Sequence, residues 1–95
     1  GGELYPLHAI MSAVSNVSGV GRHELISPRR QRRIVDARMT FYHLARTMTS
    51  KSFPQIGRAI GNRDHSTIQH GCREALRRPS VIQLIAAVTA RLEGA

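Results

Sequence analysis

Apolar residues recur at three- and four-residue intervals along most of this chain, and glycine and proline interrupt the pattern every few turns. That combination favours short amphipathic helices packed on one another. Leu4, Leu7, Ile10, Met11, Val14 and Val17 predict a first helix over 4–18, ended by Gly19 and Gly21. A short helical turn is expected around 22–26, before Ser27-Pro28. Ile34, Ala37, Phe41, Leu44, Ala45 and Met48 form the stripe of a second long helix over 31–48. Ser52-Phe53-Pro54-Gln55 fits a capping box, with Ser52 as N-cap, Pro54 in the first turn and Gln55 three residues on. Ile56 and Ile60 then point inward, and Gly61 is the expected C-cap. Asp64 suits the N-cap of the next helix, which is expected to reach about residue 77 before Pro79 stops it. Ser80 and Gln83 repeat the capping-box spacing, ahead of a last helix whose Val81, Ile82, Leu84, Ile85, Val88 and Leu92 close the core. At 95 residues the chain is long enough for one core and too short for two. The reading is an all-α small helical bundle, a single domain over 1–95, with Gly1-Gly2 set aside as a cloning remnant.

Charge narrows the partners. Lys plus Arg total 14 against 6 acidic residues, a net charge of +8, and every basic residue except Lys51 is arginine. The guanidinium fork matches phosphates and the guanine edge in a way that an ammonium does not, so the balance points to nucleic acid. Arg29, Arg30, Arg32 and Arg33 crowd the start of the second long helix, where the helix dipole favours anions. Phosphates would neutralise that cluster. No apolar run approaches the roughly 20 residues of a membrane span. A mean hydropathy of -0.24 is that of an ordinary globular chain. Cys72 is the single cysteine and has no intramolecular disulfide partner, in keeping with a reducing cytoplasm.

A short helix, a turn containing Gly and a second helix over about 52–77 is the helix-turn-helix pattern, whose second helix places its first residues in the major groove of duplex DNA. Those residues are Arg63, Asp64, His65, Ser66 and Thr67. His65 and Ser66 can bond base edges, Asp64 can accept from a cytosine amino group, and the Thr67 methyl can meet a thymine methyl.

Other chemistries fit poorly. His65, His70 and Cys72 lie at offsets of five and two, about 140° and about 200° apart around a helix, so they do not converge on a metal ion. Asp64, His65 and Ser66 are consecutive and diverge, which rules out a chained catalytic triad. No enzyme activity, cofactor or small-molecule substrate is expected. Arg38 lies on the inner side of its helix, and two roles stay open for it: reaching through to DNA, or bonding helix ends, Asp36 or Asp64. An RNA-binding module is a rival reading, but such modules stack bases on aromatics, and Phe plus Tyr total only four here. A protein-interaction bundle with incidental charge is the other.

Asn62-Arg63-Asp64-His65-Ser66-Thr67-Ile68-Gln69-His70 closely resembles the signature of the DNA-binding domain of the bacterial replication initiator DnaA. Ser27-Pro28-Arg29-Arg30-Gln31-Arg32 resembles that family's basic loop, Ala37-Arg38 its Ala-Arg pair, and Ser52-Phe53-Pro54-Gln55-Ile56-Gly57 its Ser-Leu-Pro-Glu-Ile-Gly. The resemblance covers residues 4 to 76. It implies a Trp-repressor-like bundle and sequence-specific binding to double-stranded DNA. It places Arg30 in the minor groove and Pro54, Asp64, His65 and Ser66 in the major groove. It puts Arg46, Arg63, Thr67 and His70 on phosphates, with Ser52, Phe53 and Ile68 near the DNA backbone. Two departures stand out: Ser66 replaces a commoner Thr, and Gly71 replaces an Ala, which should weaken its helix by roughly 0.5–1 kcal/mol. The family's ATP-binding cradle, Gly-x4-Gly-Lys-Ser/Thr, does not occur in these residues. The chain is therefore read as an excised reader domain or, with a slight preference, a standalone DNA-binding protein serving replication or transcription in the cytoplasm, on the nucleoid.

Overall fold

The computed structural model describes residues 5–94. They form six helices in the order α1 (Leu7–Ser18), α2 (Arg22–Leu25), α3 (Arg32–Met48), α4 (Phe53–Ala59), α5 (His65–Ala75) and α6 (Pro79–Gly94), with no strand among them. This is the expected all-α bundle. Leu4 and the Gly1-Gly2 pair lie outside the described residues.

Helix α3 is the axis of the molecule, packing against α1, α5 and α6, while α4 lies across α5. Its stripe is as the spacing predicts: Ile34, Ala37, Phe41 and Ala45 have no solvent exposure, and Leu44 and Met48 have little. Ile10 and Val14 of α1, Ile56 of α4, Ile60 just beyond it, Ile68 of α5 and Val88 of α6 complete one core. Each such side chain removed from water contributes roughly 1.5–3 kcal/mol before entropy is counted. Gly19 ends α1 in the left-handed region at φ 75, its N–H donating to the Ser15 carbonyl.

The last helix departs from expectation. Ser80 does not cap α6: the helix already begins at Pro79, and the Ser80 hydroxyl donates to Asp36 Oδ2 at 2.7 Å. Arg78 Nη1 lies 3.2 Å from Asp36 Oδ1, so a nearly buried carboxylate pins the start of α6 to α3. Satisfying that carboxylate outweighs a local cap, since an unpaired buried charge is costly. Helix α5 also stops at Ala75, short of residue 77, and Ile82 is 44% exposed rather than in the core.

Candidate nucleic-acid interface

The α4–α5 unit is fixed by local chemistry first. Ser52 Oγ accepts from the Gln55 amide at 3.3 Å, and Gln55 Oε1 accepts from the Ser52 amide at 2.8 Å, the reciprocal capping box that the spacing predicts. Ile60 is the C-cap residue, and Gly61 follows it at φ 83. Asn62 is also left-handed, at φ 59, so two successive residues reverse the chain. Arg63 N then donates back to the Gly57 carbonyl at 2.8 Å. A Cβ on Gly57 would sit 2.0 Å from the Arg63 carbonyl oxygen, so the turn can close only over glycine.

Asp64 caps α5, with Oδ2 accepting from the Ser66 amide at 3.0 Å. Hydrogen bonds from Ser66, its hydroxyl first and then its amide, hold the Asp64 carboxyl below the usual carboxylate range. His65 Nδ1 lies 3.6 Å from Asp64 Oδ1, and the two side chains are 59% and 66% exposed. Ser66, Thr67, Gln69 and His70 are exposed as well, whereas Ile68, Gly71 and Ala75 face the core. The result is a rigid helix with a polar edge turned outward. The full burial of Ile68 makes it a packing residue, not one whose side chain meets a ligand.

The basic loop is held from behind by two arginines. Arg38 Nε donates to the Leu25 carbonyl at 2.8 Å, Nη1 to that of Arg29 at 2.5 Å, and Nη2 to those of Glu24, at 3.1 Å, and Ser27. This settles the open role of Arg38: it is only 6% exposed and is bonded to helix and loop carbonyls, not to Asp36 or Asp64. Burial, and then the charge of Arg63, press its pKa downward. Arg63 Nη2 donates to the same Ser27 carbonyl at 2.6 Å, and its Nη1 to that of Ile60 at 2.5 Å. Ser27 O thus ties the helix-turn-helix to the loop. Arg29, Arg30 and Arg32 are left exposed, while Arg33 is matched by Glu24 at 2.7 Å and drops out of the uncompensated cluster.

Three depressions follow from this frame. Arg30, Arg38, Tyr42, Arg63, Thr67 and His70 line a cleft between the loop and α5, which brings the loop and recognition-helix candidates onto one surface. Pro54, Asp64 and His65 share a hollow with Arg58, Asn62 and Arg63. Arg46 and Phe53 share a third with Gln69, Cys72 and Arg73, and the Arg46 guanidinium carbon stands 4.8 Å from the centroid of the Phe53 ring. Ser52 sits exposed at the start of α4. Arg58, Asn62, Gln69 and Arg73 are additions that the sequence reading passed over. Arg58 was findable, because it lies four residues after Pro54 and so shares its helix face. Among the described residues, no group of three His, Cys, Asp or Glu side chains could hold a metal ion.

Residues 7–75 match the family model described as the bacterial dnaA protein helix-turn-helix. The chromosomal replication initiator protein DnaA of Rhizobium meliloti (strain 1021) is 45% identical over 65 residues, covering 68% of this chain and 14% of that protein. The protein of the same name from Caulobacter sp. (strain K31) is 39% identical over 89 residues, covering 90% of this chain and 18% of that protein. That of Brucella abortus biovar 1 (strain 9-941) is 40% identical over 68 residues, covering 72% and 14%. The chain therefore spans less than a fifth of the length of these relatives. With the matched residues containing the α4–α5 unit, the chain belongs to the bacterial DnaA helix-turn-helix family and is a DNA-binding domain.

Proposed function

We propose that this chain acts as a single domain that reads double-stranded DNA sequence-specifically, at sites like those of replication-initiator boxes. The start of α5 lies in the major groove and the basic loop in the adjacent minor groove. One observation carries the reading: Arg30, Thr67 and His70 open onto one cleft, whose two walls are joined through Ser27 O and Arg63. A loop and a helix fixed relative to each other can span two grooves without further ordering, which lowers the entropic cost of binding.

In this account Arg30 reads the minor groove, and Pro54, Asp64, His65 and Ser66 face base edges. Arg46, Arg63, Thr67 and His70 hold phosphates, and Ser52 and Phe53 approach the backbone beside them. Arg29 and Arg32 add field around the loop. Ile68 supports the helix from within. The domain carries out no chemistry of its own, and it works in the cytoplasm, on the nucleoid.

Gel-shift titration on duplex DNA and on a structured RNA of equal length tests the class of partner. Tighter binding to the duplex is expected, with log K falling against log salt at a slope near about −5 if about six phosphates are met. A slope shallower than about −2, or equal binding to RNA, would contradict the extended duplex footprint.

A further inference from the structure

Arg58 is the unassigned residue of the hollow beside the recognition helix. It stands in the last turn of α4, exposed, on the helix face that also carries Pro54. Four residues on a helix advance about 6 Å and return to nearly the same face. Pro54, Arg58, Asn62, Asp64 and His65 line the one hollow, so Arg58 faces the ground that the first residues of α5 face. Among the described residues its guanidinium makes no hydrogen bond and no ion pair. The acid of that hollow does not pair with Arg58: Asp64 caps α5 through Oδ2 and stands beside His65 through Oδ1. Arg38, which is buried, and Arg63, which is half-buried, are by contrast bonded to carbonyls. A free fork of donors at a concave edge, without a carboxylate to occupy it, fits the two acceptors that guanine turns into the major groove.

Resting on the two-groove reading above, we infer that Arg58 is an additional base reader, contacting a guanine in the major groove next to the bases assigned to Pro54 and His65. Lysine would keep the charge and lose the two-pronged geometry. The position widens the read sequence beyond the start of α5, onto the first helix of the motif.

The test is a binding-site selection from randomised duplexes with the wild-type chain, Arg58→Ala, Arg58→Lys and His65→Ala in parallel, with the melting temperature of each recorded. Both Arg58 variants should lose preference for guanine at one position and bind the wild-type site about 5- to 100-fold more weakly. On random duplex they should stay within about twofold of wild type. Uniform weakening on every sequence, rescued by Arg58→Lys and accompanied by a salt slope shallower by about one, would overturn the inference in favour of a phosphate anchor. Unchanged selection and affinity, with only a lower melting temperature, would overturn it in favour of a helix-end charge. His65→Ala separates the two levels. If it alters the selected site while Arg58 variants do not, only this inference fails; if neither alters it, the two-groove reading fails with it.

Discussion

A methyl group added at Gly71 would lie 2.4 Å from Cδ2 of Tyr42, a ring that is itself only 4% exposed. Glycine inside a helix ordinarily weakens it, and here it lets α5 approach α3 closely enough for the aromatic ring to fill the gap. The weakening expected of Gly71 from helix propensity alone is therefore misplaced, because the close approach needs the missing side chain. Gly71→Ala should destabilise the domain by about 1–3 kcal/mol in urea unfolding, even though alanine is the better helix former by about 1 kcal/mol. A stabilised variant would contradict the packing account. His43 offers a second test at this scale. Its partial burial in α3 holds its pKa below the ordinary value of 6.5. The unfolded chain therefore takes up a proton before the folded one does. This contribution is complete above the unfolded value and is lost as pH falls through the lower, native one. Between about pH 7.5 and about pH 5.5, wild type should lose more melting temperature than His43→Gln. Equal losses would show that the native His43 titrates normally.

At the scale of elements, the caps were legible because their partners are close in sequence: Ser52 with Gln55, and Asp64 with Ser66, three and two residues apart. The core stripes were legible because helical period fixes which residues share a face. The non-local bonds were not. Arg63 to Ser27 O spans 36 residues, and Ser80 to Asp36 spans 44. No local pattern says which carbonyl or carboxylate will lie opposite, so Ser80 read as a cap and Arg38 kept two roles. The candidate surface itself was largely legible, through the resemblance and the polar start of α5, whereas the buried inner face of Ile68 and the hollow around Arg58 needed coordinates. The Arg63 tie is open to a local measurement. In Arg63→Ala the α4–α5 pair keeps its Gly57–Arg63 backbone bond and its Ile56, Ile60 and Ile68 packing, while Ser27 O loses one donor. Hydrogen exchange should quicken at amides of the basic loop and stay slow in the middle of α5. Exchange that quickens throughout α5 would mean that Arg63 holds the motif together rather than the loop to the motif.

The described molecule measures 30 × 26 × 25 Å, a little less than the roughly 34 Å of one turn of duplex, and the chain carries a net charge of +8. Under the proposed function, loop and recognition helix act as a single rigid reader of two adjacent grooves. Arg30 stands in a loop 35 residues before His65, yet the frame built by Arg38, Arg63 and Ser27 brings it onto one cleft with Thr67 and His70 of the same helix as His65. Electrostatics alone would let such a surface hold any duplex, so sequence preference is the property that discriminates. Minor-groove width and A·T content set the potential that draws arginine in, and lysine, more strongly hydrated, responds to it less. Major-groove preference depends instead on hydrogen bonds to particular base edges. The most direct measurement is a binding-site selection run side by side on wild type, Arg30→Lys and His65→Ala. Arg30→Lys should relax preference only at the A·T-rich edge of the selected site, and His65→Ala only at the major-groove bases, at a cost of roughly 1–3 kcal/mol on the preferred sequence. If Arg30→Lys alters the same bases as His65→Ala, or leaves the selected sequence unchanged, the two-groove reader is contradicted.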